Sequence, residues 1–195
     1  MNQIRAVIDF VMDILETIVF IGSIFIVMYL FIMQPNQVKG ESMVPTFKNG
    51  DYILTSKIAY KFRSYQRGDV VVFKSPKNPD IDYIKRIIGL PGDRIVFKGS
   101  EVYVNNILIN ENYISSPNNL WETGYAKENE EIIVSDNNIF VMGDNRPHSS
   151  DSRDFGPVEI NSIIGNVFYR YFPAEKIGAI NNPLPKSLRS KDTLN

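Results

Sequence analysis

Asp82-Tyr83-Ile84-Lys85-Arg86-Ile87-Ile88-Gly89-Leu90-Pro91-Gly92-Asp93-Arg94-Ile95-Val96-Phe97-Lys98 is two apolar runs joined by a Pro-Gly-Asp turn. Each run is too short for an ordinary helix and rich in β-branched and aromatic side chains, so residues 81–88 and 93–98 read as strands. Working outward, residues 69–73, 102–104, 132–134, 139–142 and 163–172 read the same way. Turn formers separate them, among them Asn49-Gly50-Asp51, Arg67-Gly68-Asp69, Lys98-Gly99-Ser100 and Gly143-Asp144-Asn145. Residues 102–109 read as a hairpin about Asn105-Asn106. No amphipathic helix of normal length is expected after residue 65. The fold class expected is mainly β, an antiparallel β-sheet domain preceded by one N-terminal helix.

That helix is the other distinct segment. Residues 17–33 (TIVFIGSIFIVMYLFIM) carry no charge. At ~1.5 Å per residue they span roughly 26 Å, slightly under a bilayer core of ~30 Å. Uncharged residues continue to Val38, and Pro35 is a natural stop. A cleaved signal would want a basic start and a small-x-small site. Here Arg5 is accompanied by Asp9, Asp13 and Glu16, and Met33-Gln34-Pro35-Asn36 offers no such site. The segment reads as an uncleaved transmembrane anchor over 14–34, after a short N-terminus of 1–13. Lys39 and Lys48 follow the span and Arg5 precedes it, so charge bias leaves its orientation open.

Composition narrows the chemistry. The chain has 195 residues, enough for an anchor and one domain, with 21 basic and 22 acidic side chains. A formal charge of -1 gives no reason to expect nucleic acid as a partner. No cysteine is present, which excludes disulfides and thiol catalysis, and the one histidine is His148. No metal site of His/Cys type and no cofactor is expected. Residues 111–130 read as a polar surface excursion and 184–195 as a frayed polar tail.

Lys85 stands inside an apolar strand, on the face it shares with Tyr83 and Ile87. If that face is covered, desolvation lowers its pKa and leaves a neutral amine able to act as a base. If the strand is an edge, the stem packs and the amine reaches water. The alternation alone leaves both open. Ser42 lies in Gly40-Glu41-Ser42-Met43-Val44-Pro45-Thr46, a tight turn just past the anchor. It is either an ordinary turn serine or a nucleophile whose turn aims backbone N–H groups at an oxyanion. His148, in a loop dense in polar residues, has no spacing that points to a Ser-His pair.

Gly40-x-Ser42-Met43-x-Pro45-Thr46, Arg67-Gly68-Asp69-Val70-Val71, Tyr83-Ile84-Lys85-Arg86 with Gly89-Leu90-Pro91-Gly92-Asp93, and Gly143-Asp144-Asn145-Arg146 with Ser149, Asp151, Ser152 and Arg153 follow one another in this order. Together, downstream of an anchor, they resemble the bacterial type I signal peptidase family over roughly residues 15–173. The resemblance implies a membrane-anchored serine endopeptidase with a Ser/Lys dyad, which removes signal peptides from secretory precursors after a small-x-small (Ala-x-Ala) site. Ser42 would be the nucleophile, Lys85 the general base, and Ser149 the hydroxyl that orients the lysine. Arg86, Asp144, Arg146, Asp151 and Arg153 would form a structural polar network. Val38 and Gly40 on one side and Asp82, Tyr83 and Ile84 on the other would line the substrate groove. Some members place a serine two residues before the nucleophile, as an extra oxyanion donor; here that position is Gly40.

The resemblance further implies a catalytic domain split into 35–95 and 137–183, with a small inserted β subdomain over 96–136. It implies a single pass through the plasma membrane, the N-terminus cytoplasmic and the catalytic domain on the outer face against the lipid bilayer. A related Ser/Lys processing peptidase with a narrow substrate set is the alternative.

Overall fold

The computed structural model describes residues 2–120 and 123–190. The chain opens with α1 (Asn2–Val27), which passes through a π-helical turn (Met28–Ile32). The span Ile4–Ile32 has a mean hydropathy of 2.3 and no cover from the rest of the protein. It is the one helix among the described residues long and apolar enough to cross a membrane. Lys57 ties the end of this span to the domain: its N–H donates to Ile32 O, and its Nζ to the carbonyls of Tyr29 and Leu30.

Twelve strands follow among the described residues: β1 (Met33–Gln37), β2 (Tyr52–Ser56), β3 (Val70–Lys74), β4 (Asp82–Gly89), β5 (Arg94–Lys98), β6 (Glu101–Val104), β7 (Ile107–Leu108), β8 (Glu131–Ile133), β9 (Asn138–Met142), β10 (Val158–Glu159), β11 (Ile163–Phe172) and β12 (Gly178–Ala179). The larger sheet has the order β1-β2-β11-β3-β4-β9-β10, with β12 also on β11, and the smaller one β7-β6-β5-β8. Every named strand pair is antiparallel. The class is therefore mainly antiparallel β with one N-terminal apolar helix, as the strand pattern predicts.

Apolar clusters cover both faces of the larger sheet. Val38, Met43, Phe47, Ile53, Val70, Val72 and Val167 form one, and Val71, Phe73, Ile87, Val141 and Val158 another. This is why 70–73 is an unbroken apolar run and not an alternating one: all four side chains are buried. A third cluster joins Ile95, Phe97, Val102 and Val104 of the smaller sheet to Ile88, Phe140 and Met142 of the larger. The hairpin about Asn105-Asn106 forms between β6 and β7, with φ of 51° and 66°, the left-handed pair that a two-residue turn of type I′ requires.

Four features differ from the sequence reading. Met33 and Gln34, assigned to the anchor, already belong to β1. β1 is a polar edge strand containing Pro35, which hides it from a search for apolar alternation. Glu111 and Asn118, in the stretch read as a surface excursion, have buried side chains. The tail is docked through residue 190: Leu184 is buried, and Arg67 Nη1 donates to the carbonyls of Leu188 and Ser190. Residues 191–195 of that tail lie outside the described residues.

Candidate active site

Along β4, β9 pairs with the second half, from Arg86 to Gly89. The edge of Asp82–Lys85 that faces away from β3 is thus left open. β1 is the edge of the same sheet, and the sheet curls so that the two edges face each other across a groove of about 900 Å³. Val38, Gly40 and Ser42 line one wall, Asp82, Tyr83, Ile84 and Lys85 the other, and His148 and Ser150 a third side.

Lys85 Nζ donates to Ser42 Oγ at 2.7 Å and to its neighbour's carbonyl, Ile84 O, at 3.1 Å. Lys85 is 4 % exposed. Burial lowers its pKa from 10.5 to about 8, against the upward pull of Asp151 and Asp144 and with a smaller downward push from Arg153. Of the two readings of Lys85, the geometry is that of the covered face. The hydroxyl of Ser42 is met by lysine and not by His148, which is exposed on the rim.

Buried ion pairs hold the two walls in register. Arg86 donates to Asp144 Oδ1 from Nε at 2.8 Å and to Oδ2 from Nη2 at 2.6 Å, and Nη1 reaches Gly68 O. Thr46 Oγ1, four residues past Ser42, donates to the same Asp144 Oδ2. One carboxylate thus joins the residue next to Lys85 to the turn that carries Ser42. Asp151 takes Arg153 in a two-pronged contact and accepts the Gly143 N–H at 2.9 Å. Arg146 Nε donates to Gly143 O, and its Nη atoms meet Glu111 and Asn118. Those last two partners were missed in sequence; the signal available was an arginine in a turn-rich loop that needed a carboxylate from elsewhere.

Gly143 lets this loop approach the turn that carries Ser42. A Cβ there would sit 2.5 Å from Ser42 O and 2.2 Å from Ser149 Oγ. Ser149 is 2 % exposed, and its Oγ has no hydrogen-bond partner among the described residues, so the bond to the Lys85 amine that the resemblance implies is not made. Asn145 grips the turn twice: its N–H donates to Ser42 O at 3.0 Å, and its Nδ2 to Glu41 O at 3.1 Å. On the other side Gly40, at φ 88°, donates its N–H to Asn49 Oδ1 at 3.0 Å. No group of His, Asp and Glu among the described residues could hold a metal ion.

Known proteins are similar in sequence to this chain over much of its length. The family model described as signal peptidase, peptidase S26, matches residues 11–172. A signal peptidase IB of Staphylococcus aureus is 33% identical over 185 residues, covering 88% of this chain and 96% of that protein. A signal peptidase I of Bacillus caldolyticus is 40% identical over 151 residues, covering 74% and 82%. The crystal structure of a signal peptidase I from Enterococcus faecalis shows 32% identity, covers 53% of this chain and 97% of that one, and has a TM-score of 0.45. By the family match over residues 11–172 and the Staphylococcus and Bacillus relatives, the chain belongs to the bacterial type I signal peptidases of family S26 and is a serine endopeptidase.

Proposed function

We propose that the protein removes signal peptides from secretory precursors with Ser42 as nucleophile and Lys85 as its general base. The observation that carries this is the 2.7 Å contact between Ser42 Oγ and a buried Lys85 Nζ whose pKa lies near 8. A neutral lysine reverses that bond: the serine hydroxyl donates to the amine lone pair. As Oγ attacks the scissile carbonyl carbon, its proton passes to Nζ, and the carbonyl π electrons move onto oxygen. The Ser42 N–H is the donor to that oxyanion. Collapse breaks the C–N bond, and the leaving amine takes the proton back from Lys85. A water, deprotonated by Lys85 Nζ, then attacks the acyl ester; the ester C–O bond breaks, and Nζ returns the proton to Ser42 Oγ.

The facing edges of β1 and β4 suit a substrate that binds as an added strand. Val38 and Ile84 would make shallow apolar pockets, which favours small residues on alternate positions, an Ala-x-Ala type of site. Ser149 would orient the lysine amine, its buried hydroxyl being free to take a partner as the site engages substrate. Arg86, Asp144, Arg146, Asp151 and Arg153 support these groups without touching the reacting atoms. The separate four-stranded sheet supports 96–136 as a small inserted subdomain. The uncovered apolar helix supports a lipid anchor; by the family's topology the N-terminus would lie inside and the catalytic domain on the outer face of the plasma membrane. Nucleic acid has no place in this scheme.

The test is precursor cleavage by the full chain in detergent micelles. Ser42→Ala and Lys85→Ala should each abolish cleavage after an Ala-x-Ala site while the protein still folds. Retained cleavage by either would overturn the dyad.

A further inference from the structure

A peptide unit is planar, and in its trans form the C=O and N–H point in opposite directions along one line. The unit between Glu41 and Ser42 is trans, the two cis bonds lying at Val44–Pro45 and Phe172–Pro173. Whatever grips the Glu41 carbonyl therefore also sets the direction of the Ser42 N–H. Asn145 Nδ2 grips that carbonyl at 3.1 Å. Among the described residues the Ser42 N–H donates to no protein acceptor, so it is available to the groove that Ser42 lines.

We propose that Asn145 is a positioning residue for the oxyanion hole: its side-chain amide locks the Glu41–Ser42 peptide plane and aims the Ser42 N–H at the developing oxyanion. This rests on Ser42 being the nucleophile. Two further observations lead to it. The residue two before Ser42 is Gly40, which brings no hydroxyl, so the backbone donor has no side-chain helper there and its aim matters more. Gly40 is itself pinned through its N–H by Asn49, so the turn is held from both ends, and the Asn145 bond falls on the peptide unit that carries the donor. A hydrogen bond accepted by an amide carbonyl also polarises that amide and strengthens its N–H as a donor. The Asn145 main-chain bond to Ser42 O does not depend on the side chain. Side-chain variants thus remove the aim and keep the loop.

The experiment compares Asn145→Ala and Asn145→Asp with the unaltered full chain, Ser42→Ala serving as reference. Removing an oxyanion donor costs about 100- to 1000-fold in kcat, and misdirecting one should cost on the order of 10- to 100-fold. The expected result is that loss in kcat for both variants, with KM within about twofold. A peptide boronate, whose tetrahedral adduct on Ser42 carries the oxyanion, should weaken by the same factor. The acid limb of the pH profile of Asn145→Ala should not move, because Asn145 does not touch Lys85; a lesion that disturbs the Lys85 surroundings would shift that limb. Unchanged kcat and boronate affinity in Asn145→Ala would overturn the role of Asn145 while leaving the dyad standing. Loss in KM alone, or a displaced acid limb in Asn145→Ala, would overturn it equally. Cleavage surviving Ser42→Ala would overturn the dyad, and this inference with it.

Discussion

Lys85 and Arg86 are consecutive buried cations on β4, and only Arg86 has a carboxylate of its own. Asp144 takes Arg86 through two bonds at 2.8 and 2.6 Å, whereas Lys85 meets a hydroxyl and a carbonyl. Three other buried arginines are matched in the same way: Arg67 with Asp93, Arg146 with Glu111, and Arg153 with Asp151. A buried charge without a counter-ion is costly, and the fold carries that cost at Lys85 alone of these five cations.

The cost should be measurable. A fall in pKa from 10.5 to about 8 is worth on the order of 3 kcal/mol against the folded state. The lowered pKa means that the unfolded chain binds the proton more tightly. The penalty is therefore present in full below pH 8 and is relieved as the pH rises from 8 to 10.5. Lys85→Met should then unfold at a higher temperature than the unaltered protein at pH 7, with the gain shrinking by pH 10. Thermal unfolding of both at the two pH values checks this; equal stability at pH 7 would contradict it.

Asp144 should behave in the opposite way. Asp144→Asn keeps the volume and leaves Arg86 buried without its carboxylate, which should cost about 3–5 kcal/mol. Denaturant unfolding should show that loss, and the double change Arg86→Met with Asp144→Leu should recover most of it. Because Asp144 also holds Thr46, the recovered protein should fold and still cleave poorly.

At Gly143 the constraint is steric. An added methyl would meet the Ser42 carbonyl at 2.5 Å, a backbone atom that can move only by carrying Ser42 with it. Gly143→Ala should lower kcat by roughly 100-fold or more, since displacements of about 1 Å have that effect on a reacting pair. Single-turnover cleavage beside a melting curve separates this from simple unfolding.

The strands that carry the chemistry were legible because the larger sheet is covered on both faces, which writes β3 and β4 as apolar runs. A lysine inside one of them stands out. Pattern alone did not show that Ser42 meets it, since 43 residues separate the two. The pairing depends on Asp144 bridging Thr46 and Arg86, a contact between three segments that no local periodicity encodes. β1 and β2 escaped for a related reason. β1 is polar and contains proline, and β2 has two fully covered side chains, Ile53 and Thr55, one of them polar. Glu111 looked like surface charge because its partner, Arg146, lies 35 residues away. In each case the missing information was a long-range partner.

The most direct measurement is kcat/KM for precursor cleavage against pH, which reports the free enzyme's essential base. With Lys85 neutral as the base, the value should rise tenfold per pH unit through mildly acid and neutral pH and level off above about 8. A profile flat from pH 5 to pH 9, or one that falls as Lys85 loses its proton, would contradict a lysine base at Ser42.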